Sequence, residues 1–176
     1  MSKTLEYLFL FLIFLGGIME NSKAALISHS GHGFDLEETR VRIRAQENPP
    51  MPIEDQLALL DQLTEFDLGN FLLRNKGLNG EWTSYVILHG PEKEDLSPLE
   101  GWFLNKAPVV LATQERYSIF QREIQARLKK GMSLASVPCG VTEDLMTLDF
   151  SEAQKVSLFG IDLDPESIGF AKARET

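Results

Sequence analysis

Apolar residues recur at three- and four-residue steps from Pro52 onward, at Ile53, Leu57, Leu60, Leu63 or Thr64, Phe71 and Leu72. That spacing predicts amphipathic helix, with Pro52 in the first turn, Gly69 dividing the run into two pieces and Gly77 at its end. Before it, residues 34 to 45 read as a short charged helix, with Asp35 near the start and Arg40, Arg42 and Arg44 toward the end, as the helix dipole favours. Asn48-Pro-Pro50 stops that helix. Further on, Ser97-Pro-Leu-Glu100 is a capping box with proline in the first helical position, and a short helix should run to about Leu104. Pro108 then opens the longest helix, whose apolar face is Val110, Tyr117, Phe120, Ile124 and Leu128. Lys129 and Lys130 suit its negative end, and Gly131 its stop.

The pattern changes at Met132-Ser-Leu-Ala-Ser-Val-Pro-Cys-Gly-Val-Thr-Glu-Asp-Leu-Met146, which reads as a short apolar strand, a tight turn and a helix start. A second apolar strand, Val156-Ser-Leu-Phe-Gly-Ile161, ends in Asp162-Leu-Asp-Pro165. A strand that halts at small residues before a helix is how open α/β sheets build a nucleotide pocket. Gly140 and Asp162 are 22 residues apart, close to the spacing of about 20 at which an acid reaches the ribose hydroxyls of a nucleotide held at the first turn. The chain therefore reads as an apolar segment over 1–24, a lead-in or linker over 25–51, a helical region over 52–130 and an αβ unit over 131–176.

Composition narrows the partners. A formal charge of −9 and a pI near 4.8 argue against a broad grip on nucleic acid, which needs a basic surface to release counterions. A small molecule or a protein is the better match. The single cysteine, Cys139, excludes an intrachain disulfide framework and suits a reducing compartment. Residues 7 to 19 complicate a cytoplasmic placement, because they form an uncharged run of thirteen. The run is shorter than the roughly 17 to 25 residues of a spanning helix, but fits the apolar core of a secretory signal, with Lys3 before it and Ser22-Lys-Ala24 as a cleavage site. Glu6 weakens that leader. The alternatives are a true start at Met19, a helix docked on a partner, or membrane contact through residues 5 to 19.

Other chemistry-bearing residues are sparse. His29 and His32 have the i, i+3 spacing of two metal ligands, but only His89 remains as a third histidine and nothing marks it as their partner, so no metal site is expected. Arg74-Asn-Lys-Gly-Leu-Asn-Gly-Glu-Trp-Thr-Ser-Tyr85 has the glycine, asparagine and amphipathic rings of a binding loop, which makes Trp82 and Tyr85 substrate-side candidates against a plain packing role. Cys139 reads as a small buried residue beside the turn.

At residues 132–173 the chain resembles the class I S-adenosylmethionine-dependent methyltransferases. Their first motif is a strand ending in an acid followed by small residues; here Ser136 stands in the acid's place, and Pro138, Gly140 and Thr142 where glycine is usual. Their second motif, an acid at the tip of the next strand, is matched by Asp162 within Gly160-Ile-Asp-Leu-Asp-Pro-Glu-Ser-Ile-Gly-Phe-Ala-Lys-Ala173. Segments similar to Gly77-Leu-Asn-Gly80 and Trp82-Thr-Ser-Tyr85 precede some bacterial methyltransferase cores.

The resemblance implies an α/β fold: a mostly helical N-terminal region followed by the first βαβα portion of a Rossmann-like core. It implies S-adenosylmethionine as cofactor, with Asp162 on both ribose hydroxyls and Leu163 against the adenine. A small residue is needed at Gly140 beside the amino-acid moiety, and Thr142, Glu143 and Asp144 lie near the methionine end. It also implies further strands beyond Thr176, so the expectation is a truncated, methyltransferase-like chain, or one completed by pairing with another copy over its open sheet edge. Whether it turns over is left open, as is the methyl acceptor. A nicotinamide dehydrogenase fragment fits less well, because the first turn has one glycine rather than three. The rival from another class is a non-catalytic helical interaction protein, membrane-associated through its N-terminus.

Overall fold

Asp35 opens the first helix by accepting the backbone N–H of Glu38 on its carboxylate at 2.8 Å, satisfying a donor the helix itself leaves free. The computed structural model describes residues 33–75 and 77–174, which divide into two compact units after Gly77. The apolar run of residues 7–19, His29 and His32 lie outside the described residues. The described residues are mixed α/β, mostly helical with a two-stranded parallel sheet. The division falls inside the span 52–130 that the apolar periodicity presents as one helical region.

Among the described residues, the first unit holds three helices: α1 (Leu36–Arg44), α2 (Ile53–Leu63) and α3 (Asp67–Arg74). Leu59, Leu60, Leu63 and Leu68 are almost wholly buried, each contributing about 1.5–3 kcal/mol by leaving water. Leu60 and Leu63 of the sequence stripe are in that core, whereas Leu57 and Leu72 are only half-buried and Leu59 and Leu68 are buried instead. A polar pair also sits in this core: the fully buried Gln56 amide donates to Met51 O (3.1 Å) and Gln46 Oε1 (3.0 Å), and Gln46 donates back to Gln56 Oε1 (3.2 Å). With its partners present, the buried amide carries no desolvation penalty of an unmet group.

Gly69 does not divide the run. The break is at Thr64 to Phe66, where Thr64 N–H bonds Leu60 O and Asp61 O, and the Asn70 amide donates to Thr64 O and Phe66 O. Gly69 lies inside α3 because a Cβ there would meet the Leu63 carbonyl oxygen at 2.1 Å. The glycine is a spacer that lets two helices meet closely.

The second unit begins with α4 (Gly80–Ser84), capped by the Asn79 side chain accepting Trp82 N–H at 3.0 Å. It runs on through a π-helical turn (Tyr85–His89) and a 3-10 turn (Gly90–Glu92). Helices α5 (Pro98–Lys106) and α6 (Pro108–Gln125) follow. Ser97 caps α5 as the sequence indicates, accepting Glu100 N–H at 3.3 Å. Glu100 does not complete the box; its buried carboxylate instead accepts from Tyr85 Oη and Lys93 Nζ, both at 3.2 Å.

Helix α6 departs most from expectation. It ends at Gln125, because Arg127 and Leu128 turn their N–H groups to carbonyls three residues back and tighten the last turn. Lys129, Lys130 and Gly131 therefore lie beyond it, and Gly131 (φ +75°) instead donates to Gln154 O at the entry to the sheet. Of the expected apolar face, Val110 is buried, Tyr117, Ile124 and Leu128 are half-buried, and Phe120 is exposed. Tyr117 and Gln121 use that face for polar contacts with residues 143–147 rather than for apolar packing.

The sheet pairs β1 (Ser133–Ser136) with β2 (Ser157–Gly160), Ser133 opposite Ser157 and Ser136 opposite Gly160. Helix α7 (Glu143–Met146) follows β1, and α8 (Pro165–Ala173) follows β2, opened by Asp164, which accepts Glu166 and Ser167 N–H. Gly69→Ala is expected to lower stability by about 1–3 kcal/mol, since the clash is with backbone. Urea unfolding followed by far-UV circular dichroism measures it; an unshifted midpoint would contradict the packing described.

Candidate functional site

Parallel pairing brings the ends of β1 and β2 side by side, and the turn after β1 is fastened across that junction. Ile161 N–H donates to Ser136 O at 3.1 Å, and Cys139 N–H returns to Ile161 O at 2.9 Å. One residue on, Gly140 N–H donates to Asp162 Oδ2 at 2.7 Å, while the other oxygen of that carboxylate accepts Asp164 N–H at 2.9 Å. Gly140 and Asp162, 22 residues apart in sequence, thus meet directly at the turn. A carboxylate offers about four acceptor positions, so Asp162 keeps two after these bonds.

The turn is closely packed. Gly140 has φ +51°, a conformation that favours glycine, and a Cβ on it would stand 3.2 Å from the Cα of Gly80. A Cβ on Gly80 in turn would lie 2.6 Å from Ser167 Oγ and 2.7 Å from Gly140 Cα. Gly80 N–H also donates to Ser167 Oγ at 3.2 Å, and Ser167 Oγ to Asp164 Oδ2 at 2.6 Å. The side of Gly140 that the family resemblance reserves for a cofactor's amino-acid moiety is therefore covered by Gly80, because the start of α4 packs onto the turn. Two glycines allow a backbone-to-backbone approach that neither residue's spacing reveals.

The remaining candidates separate into groups. Ser136, buried at the end of β1, donates to Asp144 Oδ2 at 2.6 Å, so the carboxylate missing from the strand is supplied by α7. Glu143 turns away from the turn: its buried carboxylate accepts from Ser84 Oγ at 2.9 Å and from the Arg174 guanidinium. With those two partners Glu143 is engaged in holding α7, rather than left open toward the methionine end where the resemblance puts it. Thr142 takes φ +61°, unusual for a β-branched residue, with its methyl against Gly160; Pro138 follows a cis peptide bond and is exposed. Both shape the turn. Leu163 is 81% exposed, beside Asp162.

Cys139 lies buried under the turn; burial first, then the charges of Asp162 and Asp144, push its thiol above the ordinary range, which keeps it protonated and unreactive at neutral pH. Trp82 and Tyr85 meet edge-to-face with ring centroids 5.2 Å apart, and the Tyr85 hydroxyl, raised in pKa by burial and by Glu100, donates to Glu100. Gly80, Ser84, Ser167 and Arg174 are residues that sequence spacing does not connect with the site. Gly80 and Ser84 stand within the loop singled out for its rings, but their partners lie 87 and 59 residues away.

No family model matches the chain, and no curated protein matches it. A solved structure, described as that of a possible exported protein from Bordetella parapertussis, is similar, with a TM-score of 0.70 and 43% sequence identity. The match covers 78% of this chain and 46% of that one, so the chain spans about half that protein's length. Among the described residues, no helix is long and apolar enough to cross a membrane.

Gly80→Ala is expected to force α4 off the turn and lower stability by about 1–3 kcal/mol. Gly101→Ala, where the nearest atom stands 3.6 Å away, should be neutral or stabilising by about 0.4–1 kcal/mol. Equal unfolding midpoints for the two variants would show that Gly80 does not seat against Gly140.

Proposed function

We propose that this chain is a methyltransferase-like protein that binds S-adenosylmethionine at the junction of β1 and β2, in a Rossmann-like arrangement of β1, α7, β2 and α8. The observation that carries the reading is the 2.7 Å bond between Gly140 N–H and Asp162, which holds a carboxylate over the turn at the tips of two parallel strands. The residues present fit the adenosine half of the group. Asp162 keeps two acceptor positions, the number a pair of vicinal ribose hydroxyls requires, and exposed Leu163 offers apolar surface for a flat ring.

The amino-acid half fits less well: Gly80 covers that side of Gly140 and Glu143 is occupied by Ser84 and Arg174, which leaves Asp144, bonded to Ser136, as the carboxylate for an ammonium group. Gly140, Pro138 and Thr142 set the backbone path rather than contact through side chains. The bound cofactor would supply a methyl group on a sulfonium for in-line displacement; the chain's own part is to fix its position, where orientation contributes much of the rate. Trp82 and Tyr85 belong to the acceptor side on one ground: they follow Gly80, which seats on the turn.

Exposed Val109, Leu111, Ile119 and Phe120 on α6 favour a second reading, a non-catalytic helical interaction protein. For localisation, the description of the Bordetella parapertussis protein supports the export reading of residues 1–24 over the cytoplasmic one. Calorimetric titration with S-adenosylhomocysteine and, separately, NAD tests the proposal. Heat is expected from the former, with affinity at least tenfold lower in Asp162→Ala at unchanged circular dichroism. Heat from NAD alone, or homocysteine-ligand affinity untouched by Asp162→Ala, would overturn it.

A further inference from the structure

Helix α6 is held by one side only. Val110 is buried there, the Gln114 amide donates to Val86 O at 2.8 Å and Leu104 O at 3.1 Å, and Tyr117 and Gln121 bond the backbone of α7. On the outward side Val109, Ala112, Arg116, Ile119 and Glu123 recur at alternating steps of three and four, with Phe120 beside them. All six are exposed, Val109 at 51% and Phe120 at 55%. Alternating steps of three and four are the spacing at which one straight helix packs along another. The charges on this side are ordered as well. Arg116 and Glu123 lie two turns apart, with Ile119 and Phe120 midway, and Glu115 and Arg122 repeat that spacing with the signs exchanged along one flank.

We infer that the outer stripe of α6 pairs with the same stripe of a second copy of this chain, the two helices running antiparallel about a two-fold axis between Ile119 and Phe120. A two-fold axis makes each contact occur twice, so the stripe has to complement itself. It does so in this direction alone. Antiparallel, Arg116 of each copy stands opposite Glu123 of the other, Glu115 comes level with Arg122 of the second copy, and the Ile119 and Phe120 side chains of both gather at the centre. Parallel, Arg116 would face Arg116 and Glu123 would face Glu123. Arg127, which pairs with Glu123 in its own helix, falls opposite Ala112 of the second copy, a side chain small enough to leave it room. An unrelated acidic or basic partner fits less well, because it meets both signs at alternate turns. The exposed ion pairs set direction and register, and burial of Val109, Ile119 and Phe120 supplies the affinity. This contact is independent of cofactor binding and of the sheet.

Analytical ultracentrifugation of the full chain over a concentration series, with charge reversal, tests it. A monomer–dimer equilibrium is expected, weakened at least tenfold by Arg116→Glu and by Phe120→Asp at unchanged circular dichroism. Arg116→Glu combined with Glu123→Arg should restore the dimer. The two positions lie about 10.5 Å apart along one helix, too far to pair within a copy, so restoration reports contact between copies. A folded chain that stays monomeric overturns the inference, as does a dimer indifferent to Arg116→Glu or one that the double reversal leaves weakened. Monomeric chain that sediments with anionic lipid vesicles, and no longer does so as Phe120→Asp, would overturn it in favour of a membrane surface.

Discussion

A single backbone N–H governs the second unit. Gly140 turns at φ +51° to aim that group at Asp162, and the 2.7 Å bond joins the loop after β1 to the tip of β2. The bonds between Cys139 and Ile161 and between Ile161 and Ser136 lie directly behind it and continue the parallel pairing into the turn. A bond to an ionised acceptor is roughly twice as strong as one between neutral groups, so this contact suits the end of a four-residue strand pair that has few others. The same turn accepts the start of α4 through Gly80, so the loop, two strands and two helices share one point of contact.

Buried polar groups then decide where the helices sit. Glu143 ties α7 to Ser84 and to Arg174 beyond α8, while Glu100 draws Tyr85 and Lys93 onto α5. In the first unit the Gln46–Gln56 pair does the same for the lead-in to α2. Each group is satisfied by side chains or backbone from outside its own helix, and burial without those partners would be costly. The acids near the turn consequently differ in what they do. Glu143 holds elements together, whereas Asp162 and Asp144 face the strand tips.

Much of this is legible from local signals. Asp35, Ser97 and Pro98 announce their helices because capping depends on residues three or four apart, and Asp162 is found by its distance from Gly140. Local pattern misleads where a distant partner overrides it. Gly69 looks like a helix breaker and is a contact residue against Leu63; Gly131 looks like a helix stop and begins the sheet. Phe120 lies on the apolar stripe of α6 but is exposed, because Tyr117 and Gln121 bring that side of the helix to the polar turn of α7. Glu143 follows the first turn in sequence, yet its partners at positions 84 and 174 draw it inward, which no motif records.

The claim that Asp162 holds the turn is tested most directly by the Gly140 amide proton in solution. Nuclear magnetic resonance of the isotope-labelled chain should show that proton shifted downfield and protected from exchange. In Asp162→Ala it should move upfield and exchange at least tenfold faster, with the β1 and β2 amides following. A Gly140 amide that exchanges like an open loop in the native chain, or is unchanged by the substitution, would contradict the account.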